Sequence, residues 1–110
     1  MRFEDVHWHD GQILSWTITS SDERSAMAIV ELELAVYEGP DAPERFVARL
    51  TFEDVESLSL NCNFPDLSEH FFAGNIHWAH REGARNYRFE LFGNNSFEVV
   101  AGKVGIARES

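Results

Sequence analysis

The feature that most constrains this chain is an alternation of apolar and polar residues with a period of two. It is clearest in residues 28–36, where one apolar set alternates with a second set that includes Glu31 and Glu33. Successive side chains of a strand point to opposite faces, so this pattern predicts a β-strand with one buried face. The same alternation recurs at Leu14, Trp16 and Ile18; at Phe46, Ala48, Leu50 and Phe52; at Leu58 and Leu60; at Ile76 and Trp78; at Tyr87, Phe89 and Leu91; at Phe97 and Val99; and at Val104 and Ile106.

Residues typical of turns separate these predicted strands. Residues 19–25 are polar, and residues 39–43 read Gly-Pro-Asp-Ala-Pro. Residues 82–84 and 93–95 supply Gly or Asn, which accept left-handed backbone conformations at low cost. Because these segments are short, we expect neighbouring strands to run antiparallel.

One segment, residues 65–73, departs from the alternation. It places Leu67 and Phe71 four residues apart, begins with a proline and is followed by Gly74. This arrangement predicts a helix of one or two turns. Its apolar side chains, including Phe72, would cover an open end of the sheet.

Together these elements predict an all-β fold. We expect an antiparallel meander of seven to eight strands with one short helix, built as a sandwich or an open barrel, with the sandwich preferred. At 110 residues, 44% of them hydrophobic, the chain is long enough to bury a core without disulfides or metals. We therefore expect residues 1–110 to form a single β domain.

The charge of the chain restricts its partners. Nineteen acidic and nine basic residues give a formal charge of −10, which repels nucleic-acid backbones and anionic membrane surfaces. Neither is expected as a partner, whereas a cationic protein is. Glu31 and Glu33 are the candidate partner-binding residues, although acidic faces also maintain solubility and discourage edge-to-edge pairing of strands.

Cys62 is the only cysteine, so the chain forms no internal disulfide. On the alternation of Leu58 and Leu60 it would face inward as a small apolar residue. The chain opens with no charged-then-apolar leader, and no apolar run approaches the length of a membrane-spanning helix. These observations predict a cytoplasmic protein.

A candidate metal site lies at the start of the first predicted strand. His7 and His9 would share a face of an extended strand, and Asp10 follows them. A catalytic zinc site usually has three protein ligands, so a third would come from His70, His77, His80 or a carboxylate. In the alternative interpretation, His9 and Asp10 form hydrogen bonds with the turn backbone.

No other cofactor and no catalytic residue is predicted, because the sequence has no nucleophile elbow, phosphate-binding loop or paired-cysteine motif. His77 and His80 are three residues apart and would point to opposite faces of a strand. We expect His80 to share the inward face with Trp78, and His77 to face outward.

Five segments carry a resemblance to known proteins: residues 6–11, 50–55, 61–64 with Leu67, 74–76 and 91–93. Together they resemble a family of small bacterial β-proteins of uncharacterised function. The resemblance runs over nearly the whole chain and includes no catalytic motif. Some chains with a comparable His-Asp start resemble immunity proteins, which bind and block a toxin. The resemblance implies a β fold and a binding role, and no site residue can be carried over from it to this sequence.

Three functions follow as hypotheses. The first is a non-enzymatic, immunity-like protein-binding module that neutralises or docks a cationic partner. The second is a metal-dependent or small-ligand-binding enzyme that uses His7, His9 and Asp10. The third is a structural homo-oligomer, such as a homodimer, with Phe92, Val47 or Trp8 in a symmetric contact.

Overall fold

The computed structural model describes residues 1–20, 28–61 and 75–109. Their secondary structure is almost entirely strand, as the period-two alternation predicts. The described elements are a 3-10 turn (Phe3–Asp5), β1 (His7–Ser20), β2 (Ala28–Tyr37), β3 (Arg45–Asn61), β4 (Ile76–Glu82), β5 (Asn86–Leu91) and β6 (Asn95–Arg108). The predicted helix at residues 65–73 and the predicted inward position of Cys62 lie outside the described residues.

The six strands form one antiparallel sheet with the order β1-β2-β3-β6-β5-β4, curled into a half-barrel. The open-barrel alternative is therefore confirmed, and the preferred sandwich is wrong. The predicted meander is confirmed for β1-β2-β3 and for β4-β5-β6, but β3 pairs with β6 and not with β4. The sheet curls until the first part of β1 approaches β4, so its inner face packs on itself and needs no second sheet.

The prediction of seven to eight strands is wrong because two of the observed strands each contain two predicted ones. β3 includes both Phe46–Phe52 and Leu58–Leu60 of the sequence pattern, and β6 includes both apolar pairs near the C-terminus. A register shift between Val55 and Ser57 marks a bulge in β3, beside Asp54 with φ 52°. A bulge bends a strand without ending it, so the alternation changes phase while pairing continues.

The inner face of the half-barrel holds the core. In β2 and β3 the predicted alternation is confirmed, since the apolar residues from Val30 to Val36 and from Phe46 to Phe52 are buried at every second position. Each buried Val, Leu or Phe side chain of this set contributes about 1.5–3 kcal/mol relative to an exposed one. Across the sheet, Phe89 and Phe97 stack with ring centroids 4.2 Å apart.

Tight turns connect the hairpins where the sequence predicts them. Gly83 lies between β4 and β5, and Gly93 and Asn94 lie between β5 and β6, all three with positive φ. The Asn95 side-chain amide donates hydrogen bonds to the Phe92 and Gly93 carbonyl oxygens, at 3.2 and 3.0 Å. These contacts fix the register of the β5–β6 hairpin.

Candidate functional site

The first part of β1 forms one wall of the closed end of the half-barrel. The Trp8 side chain is buried, and its indole nitrogen donates a hydrogen bond to the Phe3 carbonyl oxygen at 3.1 Å. Its ring also packs on Phe3 and Phe89. On the neighbouring edge, His9 Nδ1 lies 2.8 Å from the His77 carbonyl oxygen, which accepts a hydrogen bond when Nδ1 carries the proton. These contacts join β1 to β4.

Gly11 marks the point where this closure stops. A Cβ at this position would lie 2.9 Å from Val36 Cγ1, 3.0 Å from the Trp8 carbonyl oxygen and 3.4 Å from Ile76 Cδ1. Ile76 is the first residue of β4. Residues 12–20 of β1 therefore continue past the start of β4, paired with β2 on one side only among the described residues.

Beyond Gly11, apolar side chains stand exposed. We call four of them the open rim: Leu14, Trp16, Ile18 and Leu60, with 48%, 36%, 58% and 55% of their surface exposed. Trp16 and Ile18 lie opposite Leu32 and Val30, so they belong to the inner face. Trp16 also contacts the Phe97 ring edge-on, at 4.7 Å between centroids.

The sequence predicts that Leu14, Trp16 and Ile18 form the buried face of a strand. This prediction is wrong, because all three side chains are exposed. The alternation places Trp16 and Ile18 on the inner face, but no strand among the described residues lies opposite them. A register shift between Ile13 and Ser15 places Leu14 in a bulge, where it leaves the alternation.

The outer edge of residues 12–20, which we call the free edge, also lacks charge. Residues 11–20 read GQILSWTITS and contain no Asp, Glu, Lys or Arg. Exposed edge strands usually carry charges, prolines or bulges that prevent pairing with another chain. This edge has the bulge at Leu14, but residues 15–20 pair with β2 without a further register shift and carry no charge or proline. Sequence reasoning missed this edge because an uncharged alternating segment is equally typical of a covered strand.

The candidate partner-binding residues Glu31 and Glu33 lie next to the free edge. They are on the outer face of β2, opposite Thr17 and Ser15 of β1. Glu31 forms an ion pair with Arg49, at 3.3 Å between Oε2 and Nη1. Glu33 has no ion-pair partner among the described residues. The structure thus brings the two carboxylates together, and their binding role stays a prediction.

The proposed metal ligands lie at the closed end. The His7 and His9 rings have centroids 6.4 Å apart, and His9 Nε2 lies 3.6 Å from Asp10 Oδ2. All three residues line one small cleft with Tyr37. In the described part of the chain, no group of three or more His, Cys, Asp or Glu residues is arranged to hold a metal ion. His70 lies outside the described residues, and the metal site stays a prediction.

The expected positions of Trp78 and His80 are wrong in one respect. The two residues share a face and stack, with ring centroids 4.3 Å apart, but that face is the outer one. They lie opposite Glu90 and Arg88, whereas Ala79 lies opposite the buried Phe89. The cause is a register shift between Ile76 and Trp78, which reverses the alternation after the buried Ile76.

The residues predicted for a symmetric dimer contact are not equally placed. Trp8 is only 7% exposed, so it contributes no surface for a partner. Phe92 is half-buried and packs against His77 at 4.9 Å and His9 at 5.8 Å between ring centroids. Val47 is half-buried on β3. The dimer itself stays a prediction.

An open cleft of about 650 Å³ lies between the 3-10 turn and β4. Phe3 and Trp8 form its apolar floor, and Glu4 and Arg81 form an ion pair at 3.5 Å at its side. Sequence reasoning did not find it, because Glu4 and Arg81 are 77 residues apart in sequence. Its polar groups are already paired with each other, so it offers no unpaired charge to a ligand.

The described residues include no helix long and apolar enough to cross a membrane. Comparisons with protein-family models, curated proteins and solved structures give no match for this chain. The resemblance to immunity-like β-proteins therefore stays a prediction, and the geometry of the chain itself must support any function.

Proposed function

We propose that this protein is a cytoplasmic, non-enzymatic protein-binding module, immunity-like in its mode of action, that docks a cationic partner. The observation that carries the proposal is the joint position of the open rim and the free edge. Exposed apolar side chains lie there beside backbone groups that no described strand pairs, along residues 11–20, which contain no Asp, Glu, Lys or Arg.

The open rim has the composition of the centre of a protein interface. Such centres are poor in charged residues and rich in aromatic ones, and a buried Trp is often the residue that contributes most to binding. Trp16 and Ile18 point into the concave face of the sheet, so a partner side chain can pack against them in that concavity. Singly exposed apolar residues are common, but Leu14, Trp16 and Ile18 all lie on the strand segment that forms the free edge.

The charge of the molecule favours a cationic partner. Every arginine in the described part of the chain except Arg45 pairs with a carboxylate of the same chain. Arg45 donates hydrogen bonds to the Asp10 carbonyl oxygen. These arginines are thus engaged internally, while the acidic excess remains to attract a basic protein and speed its association.

A comparison of two exposed tryptophans tests the proposal. Trp16 is 36% exposed on the open rim, and Trp78 is 38% exposed on the outer face of β4. We expect immobilised wild-type protein and Trp78→Ser to enrich the same basic protein from a lysate of the source cells. Trp16→Ser with Ile18→Ser is expected to lose that protein.

Quantitative mass spectrometry measures the enrichment, and thermal unfolding verifies that each variant is folded. No enriched protein, or equal enrichment by the two serine variants, would overturn the proposal. Increased salt is expected to weaken the capture, because the acidic field is screened.

A further inference from the structure

We infer that the free edge of β1 takes up an extended, basic segment of the partner as a seventh strand of the sheet. The inference rests on the proposed function and specifies how the partner is bound. Strand addition to an exposed sheet edge supplies affinity through backbone hydrogen bonds and specificity through alternate side chains.

The free edge is long enough for strand addition, and its outward backbone hydrogen-bonding groups face no described strand. Beyond the bulge at Leu14, residues 15–20 span about 20 Å as a regular strand, which is enough for several inter-strand hydrogen bonds. β2 pairs with one side of this segment, through the ladder from Gln12 to Ser20. On the other side, no described strand uses the outward backbone groups.

The register of β1 with β2 determines which partner residues face which side. Residues directly opposite in an antiparallel pair point to the same face. A partner residue opposite Trp16 or Ile18 would therefore enter the concave face beside the open rim. One opposite Ser15 or Thr17 would lie on the outer face, in line with Glu33 and Glu31.

The outer face favours basic side chains at those positions. Ser15 and Thr17 are small, so a Lys or Arg can lie across them and bring its charge toward the β2 carboxylates. Glu33 lies opposite Arg49 on β3 and interacts with it electrostatically without forming a close ion pair, and Glu31 and Glu109 both pair with that arginine. The partner segment should thus alternate apolar and basic residues.

A second copy of this chain fits the free edge less well. Two copies would each carry a formal charge of −10, and residues 11–20 offer no basic residue to face Glu31 and Glu33. Charge complementarity therefore favours a different, basic chain over self-pairing. Self-association becomes an outcome that the experiment can detect.

Synthetic peptides of about nine residues, the length of the free edge, test the inference. The probe alternates Lys and Val. Its controls are a peptide of the same composition with all Lys before all Val, an alternating Glu-Val peptide, and the probe with every second backbone amide N-methylated. Isothermal titration calorimetry at low salt measures the dissociation constants.

We expect the alternating Lys-Val peptide to bind and N-methylation to weaken it about tenfold or more, because several backbone hydrogen bonds are lost. Glu31→Gln with Glu33→Gln is expected to weaken binding by about two- to fivefold. Trp16→Ser should weaken it further, whereas Trp78→Ser should leave it unchanged.

Equal binding of the probe and its N-methylated form would overturn strand addition, as would equal binding of the Lys-Val and Glu-Val peptides. A dimer in analytical ultracentrifugation that is lost in Trp16→Ser and not displaced by the probe would assign the edge to a second copy. If these tests fail while Trp16-dependent capture of a basic protein persists, the proposed function stands without this mode of binding.

Discussion

The two halves of β1 share one sequence pattern but have opposite environments. In the first half, Trp8 is buried between Phe3 and Phe89 and the strand lies against β4. In the second half, Trp16 and Ile18 occupy the same face of the sheet and are exposed. The difference teaches that burial along a strand depends on what lies opposite it. Among the described residues, β4 begins at Ile76, beside Gly11, and no described strand faces β1 beyond that point.

The largest expected effect is on the free energy of unfolding when Trp8 is removed, in comparison with removal of Trp16 from the same strand. Trp8→Ala should lower the free energy of unfolding by about 3–5 kcal/mol, because it leaves a cavity in the core and removes the hydrogen bond to Phe3. Trp16→Ala should cost about 1–2 kcal/mol, since its side chain keeps part of its surface in water. Urea denaturation followed by far-ultraviolet circular dichroism measures both. Equal losses would contradict the distinction between a closed and an open end.

The next effect tests the point of closure at Gly11. Gly11→Ala should destabilise the fold by about 1–3 kcal/mol, because the new methyl group meets Val36 and the Trp8 backbone. Gly105→Ala in β6 is the matched control, since a Cβ there has no atom within 4 Å. That variant should be neutral or more stable by about 0.5 kcal/mol. Thermal and urea unfolding compare the two, and a harmless Gly11→Ala would mean that Val36 and the Trp8 backbone do not crowd this position.

A smaller, pH-dependent effect sharpens the description of the closed end. Burial raises the pKa of Tyr87, which packs against Phe3 with ring centroids 5.2 Å apart. The folded state thus favours the neutral phenol, whereas the unfolded chain ionises near its ordinary pKa of about 10. Stability from this group is complete below that pH and is lost as the pH rises through the folded pKa.

Urea unfolding of wild type and Tyr87→Phe, from about pH 8 to about pH 11, measures this effect. The wild type should lose stability more steeply than Tyr87→Phe at the alkaline end. Parallel curves would show that Tyr87 is not desolvated in the folded protein.

The smallest expected effect on stability is at Ile18 of the open rim. Ile18→Lys should change the free energy of unfolding by about 0.5 kcal/mol or less, because its side chain is already largely in water. The same change should abolish binding of the alternating Lys-Val peptide through charge repulsion and loss of apolar contact. Calorimetry and urea unfolding separate the two effects. A large loss of stability would mean that the open rim is covered in the folded protein.

Local pattern predicted much of the sheet but not its continuity. Alternation in residues 28–36 and 46–52 correctly gave β2, β3 and their buried faces, and Gly83 and Gly93 correctly gave two hairpin turns. Bulges at Asp54 and near Ile76 shift the phase of the alternation without a residue type that reveals them. The strand count and the side taken by Trp78 were therefore wrong.

For the candidate site, the sequence shows which residues are involved but not how they are arranged in space. The acidic excess, the Glu31 and Glu33 pair and the uncharged residues 11–20 are all readable in the chain. That these lie side by side at the edge of the sheet follows from the pairing of β1 with β2 alone among the described strands. Pairing joins residues distant in sequence, and its register depends on turns and bulges.

The sequence by itself determined the class of this fold, because a period-two distribution of apolar residues buries efficiently only as sheet. Only the tertiary structure decided that the sheet curls on itself, and that Trp8 is buried while no described strand covers Trp16. The reason is physical: alternation specifies the face on which a side chain lies, whereas burial requires another part of the chain at the right distance, and a strand's own residues do not encode where its neighbour ends.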